Sequence, residues 1–146
     1  MDISLRRDDV LRYKYSRIVI RNPKNHIAWI SYSQIVKRPF NNEVVRLDKV
    51  TSREGMLRSR KVLYIAEKCF DDQSETRQKA QIIQARGLLE FQFGNKIFGI
   101  ALLERAVMFS SICKPVLSWL IVKKFIQSIS SCELATLQLA RKLLKS

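Results

Sequence analysis

The stretch ARGLLEFQFGNKIFGIALLERAV, Ala85 to Val107, holds two helix-paced apolar runs that meet at Gly94-Asn95. That pair stops one helix and opens the next. The spacing predicts a helix over about 75–93, with Ser74 as its cap, and another over about 96–109. So short a break folds the two back on each other as an antiparallel pair. The octet GIALLERA, Gly99 to Ala106, is matched 40 residues earlier by SRKVLYIA, Ser59 to Ala66. Both have small residues at the ends, which let neighbouring helices approach closely, and apolar residues at the fourth and fifth places. Moving Ala101, Leu103 and Ala106 forward by 34 lands on Ala135, Leu137 and Ala140, and Ala85 moved by the same interval lands on Trp119.

Working outward, Leu5, Val10, Leu11, Tyr15, Ile18 and Val19 recur at helical intervals and predict a helix over 4–21, stopped before Pro23. Ile27, Trp29, Ile30, Tyr32 and Ile35 predict another over 25–37, ended by Pro39. Residues 39–53 break the rhythm and read as a long polar loop, with Asn41-Asn42 as a turn and Val44, Val45 and Leu47 as a short extended segment. Ser52 caps the next helix, which carries Met56 to Phe70. Near the end, Pro115 opens a helix through about Ser128, and the last runs from Ser131 or Cys132 to Lys145. Seven helices in all make an all-α chain.

Composition agrees. Only 4 Gly and 3 Pro among 146 residues are too few for a turn-dense β fold, and 47% apolar residues suffice for a core. Cys69, Cys113 and Cys132 are odd in number and widely spaced, which predicts reduced core residues in an intracellular setting. The N-terminal segment, with Asp2, Asp8 and Asp9 among its arginines, reads as neither a secretory signal nor a transit peptide. The most apolar stretch, Ala106 to Cys132, is cut by Lys114, Lys123 and Lys124, so the chain is expected to be soluble or peripheral.

A helix–turn–helix unit of about 34 residues is the period of tetratricopeptide repeats. The wording resembles the half-a-TPR (HAT) variant. NPKNHIAWISYSQI, Asn22 to Ile35, resembles its first helix; SRKVLYIAEKCF, Ser59 to Phe70, and ALLERAV, Ala101 to Val107, resemble its second; ARGLLEFQFGN is similar to the turn between them. The resemblance implies a right-handed solenoid of about three and a half repeats with a groove lined by the first helices. Residues 4–21 cap it, 25–70 form repeat 1 with the insertion 39–53, 75–109 repeat 2, and 114–145 a degenerate repeat 3. Trp29, Tyr32, Ala66, Leu89, Gly94, Ala106, Trp119 and Ala140 are the expected packing positions.

No sequence pattern for catalysis is present: GxxxxGK[ST], GxGxxG, GxSxG and HExxH are all missing. His26 stands alone, and Asp8-Asp9 and Asp71-Asp72 read as helix-boundary charges. A protein that is not an enzyme is expected, with no cofactor, metal or small-molecule substrate. The informative excess is charge: 27 Lys and Arg against 13 Asp and Glu give +14, of which +9 falls in residues 1–70. Arg12, Arg17, Arg21, Lys24, Lys37, Arg38, Arg53, Arg58, Arg60 and Lys61 are the candidates to meet phosphates or an acidic protein face.

The resemblance to HAT proteins, including those that protect plastid transcripts, implies a non-catalytic scaffold in RNA processing or stabilisation. It places the chain in a chloroplast first, with nucleus and mitochondrion as alternatives. The other expectation is a connector or assembly subunit of a large complex, such as a photosynthetic membrane assembly, meeting acidic subunits or an anionic membrane surface. A continuous basic groove would favour RNA, and an exposed apolar patch the connector.

Overall fold

The computed structural model describes residues 3–39 and 52–145, and among these every regular element is helical. They are α1 (Ile3–Arg21), α2 (His26–Lys37), α3 (Arg53–Lys68), α4 (Thr76–Phe93), α5 (Lys96–Phe109), a single 3-10 turn (Ser111–Cys113), α6 (Lys114–Leu117), α7 (Leu120–Ser128) and α8 (Ser131–Lys145). The extended segment expected around Val44 to Leu47, and nearly all of the insertion 39–53, lie outside the described residues. The chain divides into two compact units, Met1–Cys69 and Phe70–Ser146.

In the first unit α2 packs against both α1 and α3. Its start is fixed by Asn25, whose side chain accepts from Ala28 N at 3.0 Å. Ser52 does the same for α3, accepting from Gly55 N at 2.9 Å, as the sequence predicts. Trp29 is buried and donates its indole N–H to Pro23 O at 2.9 Å, so the ring is both core and anchor for the α1–α2 turn.

In the second unit α4 and α5 form the expected antiparallel hairpin across Gly94-Asn95. Asn95 caps α5 by accepting from Phe98 N at 3.1 Å. The small residues act as predicted: a methyl group on Gly99 would lie 2.7 Å from Phe91 N, and one on Gly87 2.9 Å from the Leu103 side chain. Five consecutive residues of α5, Gly99 to Leu103, are buried, because the helix is covered on several sides by α4, the 3-10 turn, α6 and α8. α8 packs principally on α5. Phe91, Ile100, Leu103, Val116, Val122 and Leu137 join these elements in one core, and Phe91 meets the Phe125 ring edge-on at 5.5 Å.

Several expectations are corrected. The single helix over 115–128 is broken at Ser118-Trp119. The Ser118 hydroxyl donates to Pro115 O at 2.7 Å, competing for a helix carbonyl, and Trp119 leaves the helical conformation with φ −59° and ψ 135°. Val116 and Val122, both buried, are six residues apart, about 240° around a continuous helix, so only the break lets both enter the core. Trp119, expected as a packing residue, is 46% exposed. Ser74 does not cap α4: Glu75 holds that position, and Ser74 instead donates to the Asp71 carboxylate. Of the cysteines only Cys113 is core; Cys69 is half-buried and Cys132 exposed. Asp8 and Asp9 lie within α1 rather than at its boundary.

Candidate partner-docking site

The ten basic candidates divide by what they touch. Four are built into the fold. α2 ends with carbonyls that have no partner within the helix, and guanidinium groups from both neighbouring helices supply donors. Arg58 of α3 donates Nε to Val36 O at 2.9 Å and Nη2 to Arg38 O at 3.0 Å. Arg12 of α1 reaches the same Arg38 carbonyl from the other side at 3.0 Å while pairing with Asp9 at 2.7 Å. The Arg38 guanidinium returns to α1 by pairing with Asp8 at 2.7 Å. Lys24 donates to Cys69 O at 2.7 Å and so caps the end of α3.

Lys37, a fifth candidate, is half-buried, and its pKa is lowered by burial and then by the neighbouring Arg38 charge. The remaining five, Arg17, Arg21, Arg53, Arg60 and Lys61, are exposed. Arg17 leans on Tyr13, donating to its hydroxyl at 2.7 Å. Only Arg58 and Lys61 of the ten line the cleft of this unit, so these side chains do not merge into one basic groove within it.

That cleft, about 310 Å³, has α2 as its floor and α1 and α3 as its walls. Val19 and Ile20 face it from α1, Trp29, Tyr32 and Val36 from α2, and Val62 and Ile65 from α3, with Arg58 and Lys61 along the α3 edge. Ile20 is 76% exposed and Ile65 45%, although both lie on an otherwise apolar surface. Among the described lining residues there is no carboxylate. Arg17 stands one turn from Ile20 and extends the cationic edge along α1. A concave apolar surface with cations on its edges suits an apolar segment carrying acidic flanks. Sequence reasoning identified Tyr32 as packing and missed the exposure of Ile20 and Ile65. The helical period marks which residues share a face, and leaves open whether a further helix covers that face.

The second unit has a larger and more charged depression, about 780 Å³, bounded by α5 and α8. Across it Arg141 makes a bidentate pair with Glu104 at 2.8 and 2.7 Å, and this bond raises the guanidinium pKa further. The other expected packing residues behave unequally. Ala66, Leu89 and Ala106 are buried and Ala140 is partly buried, whereas Gly94 is exposed as the C-cap of α4. His26 is the first residue of α2. Among the described residues no group of three or more His, Cys, Asp or Glu could hold a metal ion, and no helix is long and apolar enough to cross a membrane. Comparison of the chain with protein-family models, with curated proteins and with solved structures returns no match.

Proposed function

We propose that the protein is a non-catalytic helical-repeat scaffold that holds a protein partner, and that the cleft of the first unit receives an apolar segment of that partner bearing acidic flanks. The observation that carries this reading is the open apolar lining, with Ile20 and Ile65 exposed beside Arg58 and Lys61 and no described carboxylate. Burial of such a surface provides the affinity, and the cations select the partner's charge. In this reading the helices are HAT-like repeats: α2–α3 and α4–α5 are units and α1 a leading half-unit, while residues 114–145 are a degenerate third whose last helix packs on α5. Equal burial at matched positions supports it, since Ser59 and Gly99, Leu63 and Leu103, and Ala66 and Ala106 are all buried.

One observation favours a second reading, an RNA-associated scaffold: the net charge of +14. Its phosphate contacts would fall on Arg17, Arg21, Arg53, Arg60 and Lys61. Five such contacts to a single strand give an affinity that drops about 100-fold between 50 and 200 mM salt. Isolation of the protein from its native source with and without nuclease, compared with an Ile20→Glu/Ile65→Glu variant, separates the two. The protein-docking reading expects a fixed set of subunits that survives nuclease and is lost from the variant. Recovery of a defined RNA, with companions released by nuclease, overturns it.

A further inference from the structure

We propose that the corner between α6 and α7, in the second unit, is a docking point for an anionic lipid surface. Trp119, Leu120 and Ile121 are consecutive and exposed by 46%, 66% and 68%. They are held outward by the chain on either side: Val116 and Val122 are buried at 6% and 0%, and the turn at Ser118 lifts Trp119, Leu120 and Ile121 away from the core. α7 begins there, with Lys123 N bonded to Trp119 O at 3.0 Å. Lys123 and Lys124 follow Leu120 by three and four positions, so they flank its side chain on the helix surface, and Lys124 is likewise one turn from Ile121. Both lysines are exposed, as is Lys114 at the start of α6.

Charge decides the class of partner. From residue 105 to 132 the sequence contains no Asp or Glu, and Glu104, the last acid before this stretch, is held by Arg141. Lys123 and Lys124 therefore flank an apolar tip with no acid in the same stretch of chain to neutralise them. Leu120 and Ile121 protrude, and a protruding side chain needs a matching pocket on a protein but none on a bilayer interface. A lipid surface accepts such a tip while lysine stems lie along the acyl boundary and their ammonium groups reach the headgroup phosphates. Indole is favoured at the same depth, where its ring is in apolar surroundings and its N–H is wet. The proposal rests on residues of the second unit and is independent of the cleft.

The test is sedimentation of the full chain with vesicles of phosphatidylcholine alone and of phosphatidylcholine mixed with phosphatidylglycerol. The chain is expected to bind the mixed vesicles and not the neutral ones, with affinity falling as salt rises. Each lysine near an anionic surface contributes about 1 kcal/mol, so Lys123→Gln/Lys124→Gln should weaken binding about 30-fold. Leu120→Ser/Ile121→Ser, at exposed positions that leave the core intact, should weaken it by at least about tenfold. In a Trp29→Phe background, Trp119 emission should shift to the blue on mixed vesicles only. Failure to bind anionic vesicles, or binding by either double variant as tight as the parent's, overturns the proposal. So does loss of a dimer, read by light scattering, as the main consequence of Leu120→Ser/Ile121→Ser.

Discussion

Adding one methyl group at Gly99 tests the close approach on which the second unit is built. In Gly99→Ala the new Cβ would stand 2.7 Å from Phe91 N, 2.9 Å from Gly87 O and 3.1 Å from Phe91 Cα. All three are backbone atoms of α4, so no side chain can rotate away. Ordinary contact begins near 3.4 Å, and the two helices must part by about 0.7 Å to reach it. Such overpacking costs roughly 1–3 kcal/mol, and rigid opposing atoms place this case in the upper part of that range. Alanine recovers roughly 1 kcal/mol over glycine in a helix interior, leaving a net loss of about 1–2 kcal/mol. In urea unfolding followed by far-ultraviolet circular dichroism the midpoint should fall by about 0.5–1 M at unchanged slope. Gly87→Ala should cost less, because its contacts begin at 2.9 Å rather than 2.7 Å and only one of the three, Leu103 N at 3.0 Å, is a backbone atom. A higher midpoint for Gly99→Ala, the result helix propensity alone would give, refutes the close approach.

Arg58→Ala removes two charged hydrogen bonds to the end of α2 and should destabilise the chain by roughly 1.5–3 kcal/mol in the same assay; unchanged stability would remove it from the fold and return it to the surface. For Lys37, whose folded pKa is lowered, the unfolded chain binds more protons in the window between that value and 10.5, so stability from this group rises with pH there. Lys37→Gln should therefore be more stable than the parent at neutral pH, and the difference should shrink as pH rises through that window; a constant difference contradicts the assignment. Alkylation of the native protein should modify exposed Cys132 quickly and Cys113 only on unfolding, because burial both shields the Cys113 thiol and raises its pKa; equal rates at the two sites would place Cys113 outside the core.

The helical elements were legible because their signals are local. Asn25, Ser52 and Asn95 each precede an apolar run and each caps a helix, and Gly94-Asn95 turns α4 into α5. Small residues at Gly99, Ala66 and Ala106 marked the faces where helices meet. The break at Ser118-Trp119 was hidden because its cause is tertiary: Val116 and Val122 must share a core with Phe91 and Leu137, which lie 15 to 31 positions away along the chain. The arginine ties were hidden for the same reason. Arg12 and Arg58 bond a carbonyl 26 and 20 positions away, and neither separation leaves a periodic trace. Net charge marks both as partner candidates and leaves out that each also satisfies the end of α2. Of the cleft, Trp29, Tyr32, Arg58 and Lys61 are among the positions named from the sequence; Ile65 falls in the apolar set of its helix, and Ile20 falls outside the periodic set read for residues 4–21.

A photo-crosslinking residue in place of Ile65, with one in place of exposed Met108 of the second unit as the control, tests whether the cleft between α1 and α3 holds a protein partner. In the native source, position 65 is expected to join to a peptide of a defined subunit, in a product that persists after nuclease treatment, and the peptide is expected to carry an apolar face with acidic flanks. A nuclease-sensitive product at position 65, or the same products from both positions, would contradict this expectation.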